Sequence, residues 1–156
     1  MTDHAADTEA IKALKARYFR LMDTKDWAGL AGVFTPDVVI DMTEEGSGSG
    51  VITTVADYLP FLRANIETVT TVHHGHMPEI VLTSSTTATG VWAMEDKLWW
   101  PEGSPIVHLH GYGHYHETYE KAVDGPGAGP GDGPGAGWRI KTLKLTRLHR
   151  EFILAD

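Results

Sequence analysis

Ile11, Leu14, Tyr18, Leu21 and Met22 recur at three- and four-residue steps. That spacing predicts an amphipathic helix over about 9–22, capped by Asp7 or Thr8. The polar residues 1–7 before it read as a frayed end. Trp27, Leu30 and Phe34 place a second short helix over 26–33, which Thr35-Pro36-Asp37 breaks. Val38 to Met42 reads as a short strand, and residues 44–50 as a flexible Gly/Ser loop. Val55, Leu59, Leu62 and Ile66 mark a third helix over 54–68. From residue 69 the chain turns rich in Val, Thr, Ile, Tyr and Trp. It divides into strands at about 70–82, 86–100, 105–122 and 137–152. Residues 124–137 repeat Gly-Pro-Gly-Ala-Gly with nothing apolar to bury, and read as a flexible hairpin insertion. Helices followed by long antiparallel strands make an α+β pattern. The expected architecture is one domain over 1–156: a curved, mixed or antiparallel sheet wrapped as a cone around three N-terminal helices, with a cavity inside.

Composition narrows the function classes. Thirteen Lys and Arg against 21 Asp and Glu leave a charge of −8, which argues against a nucleic-acid partner. The absence of cysteine removes disulfides, cysteine zinc sites and thiol nucleophiles. Apolar runs fall short of the roughly 20 residues of a bilayer span, and no apolar leader follows Met1. A cytoplasmic protein without a membrane partner is the expectation. Nine His are present, seven of them between His73 and His116, so the candidate chemistry lies in the strands.

Some polar residues sit where alternation predicts an apolar face. On strand 86–100, Asp96 shares a phase with Trp92, Met94 and Leu98, and a carboxylate there needs a partner. The alternative is a bulge that puts Asp96 in solvent. Arg147 shares a phase with Leu143 and Leu145, and either snorkels to a rim, pairs with an anion or forms a structural salt bridge. His73 and His74 point to opposite faces, so one of them can enter the cavity, in phase with Met77. Tyr18 belongs to the first helix's apolar stripe, as a core tyrosine or a donor. Asp23 ends that helix, as a functional carboxylate or a cap for the next one. His108-x-His110 and His114-x-His116 share a strand face, but no third ligand stands at a characteristic spacing, so no metal is expected. No dinucleotide fingerprint, Walker loop or nucleophile elbow is present.

Five segments carry a resemblance: Ile11 to Asp23 with its Arg-Tyr-x-x-x-x-Asp, Trp27 to Asp41, Val72-His-His-Gly-His-Met-Pro78, Gly90 to Asp96, and Gly137-Trp-Arg-Ile140 through Arg147. Over residues 8–153 the chain resembles the SnoaL-like branch of the nuclear transport factor 2-like superfamily. Within it, the chain looks most like bile acid 7α-dehydratases and, more distantly, scytalone dehydratases. The resemblance implies a cavity lined by Tyr18, Asp23, His73, Asp96 and Arg147 as catalytic residues. It implies no cofactor, a small hydrophobic substrate, and assembly as a homodimer or homotrimer. The extra strand His of scytalone dehydratases falls near Leu98 here and is not kept. Trp92, Met94, Leu98, His110, Tyr112 and Tyr115 are the expected substrate contacts, with Trp99, Trp100, His108 and His114 also read as cavity-shaping. The implied activity is a dehydratase acting on a hydroxylated cyclic compound, steroid-like or aromatic polyketide-like. Asp96 would orient His73 as the acid/base, Tyr18 would hold an enolate oxygen, and Asp23 and Arg147 would orient the hydroxyl or carbonyl end of the substrate or hold each other in register. A double-bond isomerase, a fragment-eliminating lyase and a non-catalytic binding domain are the alternatives.

Overall fold

The computed structural model describes residues 4–45, 50–122 and 137–156. The elements run α1 (His4–Asp23), α2 (Trp27–Ala31), β1 (Phe34–Asp41), a 3-10 turn (Thr43–Glu45), β2 (Val51–Ile52), α3 (Val55–Ile66), β3 (Thr70–Leu82), β4 (Thr87–Trp99), β5 (Ile106–Lys121) and β6 (Trp138–Leu154). The strands form one curved sheet, not closed into a barrel, in the order β2-β1-β6-β5-β4-β3. β1 runs parallel to β6, and every other pairing is antiparallel. The helices lie on the concave face, where Ile11, Leu14 and Tyr18 of α1 pack with Tyr115, Ile140 and Leu143 of the sheet. No helix among the described residues is long and apolar enough to cross a membrane.

The α+β expectation and the long strands hold, and several local expectations are corrected. Residues 4–7 are helix rather than frayed end, because Asp7 is buried and accepts from Lys121 Nζ at 2.7 Å and Trp138 Nε1 at 2.9 Å. These bonds outweigh burial and hold its carboxyl below the usual range. Thr35-Pro36-Asp37 lies within β1, where the pairing with β6 shifts register and the missing proline N–H is tolerated. Residues 43–45 form a turn rather than open loop. The rest of the Gly/Ser loop, 46–49, and the Gly/Pro insertion up to residue 136 lie outside the described residues.

Bulges decide which side chains face inward. β3 shifts register between His76 and Glu79, so Met77 is 93% exposed rather than in phase with His73. β6 shifts opposite Tyr112 and Gly113, with Leu148 as the extra residue.

Candidate active site

α1 ends on a tight cap. Asp26 N–H donates to the Leu21 carbonyl and Lys25 N–H to that of Met22, with Lys25 at φ 59°. This is a Schellman arrangement with lysine where glycine is usual. It leaves Asp23 in the last turn, where the helix dipole disfavours a carboxylate. Three donors from the start of β3 offset that cost. Thr71 Oγ1 donates to Oδ1 at 2.9 Å, the His73 backbone N–H to Oδ2 at 2.9 Å, and His73 Nδ1 lies 2.6 Å from Oδ1. Lys25 Nζ in turn donates to Thr71 Oγ1 at 2.8 Å. A carboxylate accepts only, so Nδ1 carries a proton, and Nε2 is the nitrogen free to act as a base when the ring holds a single proton. The Phe19 ring lies parallel to the imidazole, 6.3 Å away.

Asp96 stands directly across from His73 in the β3–β4 ladder, but its carboxylate is committed elsewhere. Arg147 Nη1 and Nη2 donate to its two oxygens, each at 2.8 Å. The same guanidinium donates to Glu45 through Nε at 2.6 Å and Nη2 at 3.1 Å. Burial alone would lower the arginine's pKa, but the hydrogen bonds from Asp96 and Glu45 raise it. Arg147 is therefore a fixed cation. The expectation that Asp96 orients His73 is corrected to Asp23. The ion cluster depends on Gly111, where an added Cβ would lie 2.3 Å from Asp96 Oδ1 and 2.5 Å from Arg147 Nη1.

Both groups line a cavity of about 370 Å³, within the range of small-molecule sites. Its floor holds Tyr18, Tyr58 and Tyr115, all buried. The Tyr18 and Tyr115 rings meet edge to face, 5.9 Å between centres. Burial pushes all three phenols up, so they stay protonated donors. Leu98 and Trp100 supply apolar wall.

The cavity thus brings together Tyr18, His73, Asp96, Arg147, Leu98 and Tyr115, with Asp23 behind the imidazole. Four expected contacts are corrected. Trp92 faces inward but is core, its Nε1 bonded to the Tyr119 hydroxyl at 2.9 Å. Met94 is buried behind the ion cluster, its sulfur 3.8 Å from Arg147 Nη1. His110 and Tyr112 lie on the outer face, because the inward phase of β5 is Leu109, Gly111, Gly113, Tyr115. His110 Nε2 meets Glu95 at 2.9 Å, which holds that carboxyl below its usual range, and Tyr112 stacks near His149. His108 and His114 share this outer phase, and exposed Trp99 stacks on His108. Among the described residues no three His, Asp or Glu are placed to hold a metal ion.

Glu45 was missed because a Gly/Ser loop gives no spacing signal. The Lys15–Glu117 pair was also missed. Lys15 sits on the α1 stripe and Glu117 on the inward phase of β5, so the same misfit logic applied to both would have found it. The two are hydrogen-bonded and wholly buried, and Lys15 Nζ lies 3.7 Å and 4.0 Å from the centres of the Tyr115 and Tyr18 rings. Burial lowers the lysine to about 8 against the opposing pull of Glu117.

The curved sheet wrapped over helices around a cavity is the fold of the nuclear transport factor 2-like superfamily. Within it the chain belongs to the SnoaL-like domain family, whose model matches residues 3–144. The probable cyclase FGR4 of Gibberella zeae is 25% identical over 148 residues, 89% of each chain. Among solved structures, the Kfla4162 protein of Kribbella flavida superposes with a TM-score of 0.79 at 25% identity, covering 96% of this chain and 95% of that one. A scytalone dehydratase-like protein of Novosphingobium aromaticivorans reaches 0.79 at 20% identity, covering 100% and 94%. A type 2 hexachlorocyclohexane dehydrochlorinase reaches 0.77 at 16% identity, covering 99% and 93%. The latter two show likeness of fold.

Proposed function

We propose that the chain is a cofactor-independent lyase, a dehydratase acting on a hydrophobic cyclic substrate that bears a hydroxyl. The observation that carries this is the Asp23–His73 pair in the wall of an aromatic-lined cavity. His73 Nε2 takes a carbon-bound proton, and Asp23 stabilises the imidazolium that forms. The electron pair of the broken C–H bond becomes the new double bond as the C–O bond breaks. The imidazolium returns the proton to the departing hydroxyl, which leaves as water. A carbonyl conjugated with the reacting carbon acidifies that proton, and Tyr18, backed by Tyr58 and Tyr115, donates to the oxygen where charge develops. The Asp96–Arg147–Glu45 cluster fixes the wall beside His73 and orients the substrate.

The Gibberella zeae relative supports a second reading, cyclase, which uses the same proton abstraction. Product mass separates the two. The purified protein is incubated with hydroxylated 3-oxo steroids and hydroxylated aryl-propanoids, without metal or nucleotide. Loss of water, abolished in His73→Ala and strongly reduced in Asp23→Asn, is the expected result. An isomeric, ring-closed product favours the cyclase. Full turnover by His73→Ala overturns both.

A further inference from the structure

The elimination chemistry leaves one cavity cation unused. Arg150 follows Arg147 by three residues, and on a regular strand the two point to opposite faces. The bulge at Leu148 changes that. Gly113 pairs with Arg147, Tyr112 with His149 and Gly111 with Arg150, so the strand phase inverts after Leu148. Leu148 is 73% exposed, while Arg150 and Phe152 return to the cavity wall. Bulges often re-aim side chains beside sites.

The two arginines differ in their partners. Arg147 is held by two carboxylates. Arg150 has no carboxylate within 4.0 Å among the described residues. Its Nη1 donates to the Glu45 backbone carbonyl at 3.1 Å, and its guanidinium stands 5.8 Å from the centre of the Phe152 ring. These contacts fix its position and leave most of its five donors open. Arg150 is half-buried, and Phe152 beside it is half exposed, so both mark the open end of the cavity.

We propose that Arg150 is a specificity residue that receives a carboxylate of the substrate at the cavity mouth, while the apolar body of the substrate extends inward to His73. The substrate class is then a hydroxylated cyclic acid. This rests on the cavity being the small-molecule site described above. One guanidinium matches one carboxylate in charge and in fork geometry. A dianionic phosphate fits less well, because the Glu45 carboxylate occupies the same wall.

The test is calorimetric binding of 6-hydroxy-2-naphthoate and its neutral methyl ester at pH 7.5. Wild type should bind the acid at least about tenfold more tightly than the ester, as a hydrogen-bonded charge pair gives. Arg150→Gln should lose that preference with ester affinity unchanged, and Arg150→Lys should keep part of it; thermal melts check that both fold. Equal affinities in wild type, a preference that survives in Arg150→Gln, or no binding of either probe overturns the proposal. Binding does not require turnover. Absence of any mass change in the substrate panel therefore removes the lyase reading alone, and equal binding of acid and ester removes this one alone.

Discussion

Among the described residues two buried ion pairs cross the interior, and they differ in what surrounds them. Lys15–Glu117 joins α1 to β5 with both side chains sealed from solvent and the lysine packed on tyrosine rings. Arg147–Asp96 joins β6 to β4 over the gap left by Gly111, and one side of it is cavity. A sealed lysine has nothing to act on, and its charge is the weaker of the two, since burial lowers its pKa. The arginine is held charged by two carboxylates that face the space a ligand would fill. Charge in the interior therefore marks a site only where a cavity adjoins it. In the cavity wall the arginine is locked, and the proposed dehydratase therefore assigns proton transfer to His73.

The sharpest way to break this division is to remove the base. His73→Ala should lower kcat by about 10²–10⁴-fold with little change in melting temperature, since general acid–base groups contribute on that scale. A similar loss in a folded Lys15 variant would erase the distinction between the pairs. Next, Lys15→Met should cost about 3–5 kcal/mol in denaturant unfolding, because it strands a buried carboxylate. Adding Glu117→Leu should recover most of that, with kcat of the folded protein unchanged. Arg147→Met should cost a comparable amount and should lose activity even at temperatures where it is folded. Gly111→Ala forces Asp96 and Arg147 apart, and should reproduce the activity loss with a smaller loss of stability, read by thermal melts beside kcat.

The most gradual effect concerns pH. The folded lysine titrates near 8 and the unfolded one near 10.5, so between these values the unfolded chain binds more protons. The Lys15 share of stability should therefore rise with pH across that window, by up to about 1.4 kcal/mol per unit. Above about pH 10 the buried tyrosines oppose it, because their raised folded values make unfolding release protons. Comparing unfolding of wild type with the Lys15→Met/Glu117→Leu double variant isolates the lysine term. A flat difference from pH 8 to 10 would contradict it.

Much of the fold was legible because alternation and helical spacing follow directly from which side chains are buried. Asp96 and Arg147 stood out as charges on apolar phases for the same reason, and each turned out to be the partner of the other. The pairing of His73 with Asp23 was not legible. Those residues lie 50 positions apart, and their contact depends on a lysine in a left-handed helix cap. Arg150 was hidden by the bulge at Leu148, since one inserted residue reverses every inference from parity downstream. The histidines of β5 were misread because Leu109 and Tyr115, not the histidines, define its inward phase.

The assignment of Asp23, rather than Asp96, as the partner of His73 can be tested without a substrate. Long-range nitrogen–proton NMR of the imidazoles, with His73 identified by its loss in His73→Gln, reads which ring nitrogen carries the proton in the neutral form. The expected result is a protonated Nδ1 and a bare Nε2, with the tautomer balance shifting in Asp23→Asn and holding in Asp96→Asn. A protonated Nε2 in wild type, or a tautomer that responds to Asp96→Asn and not to Asp23→Asn, would contradict the pairing and with it the role of His73 as the base.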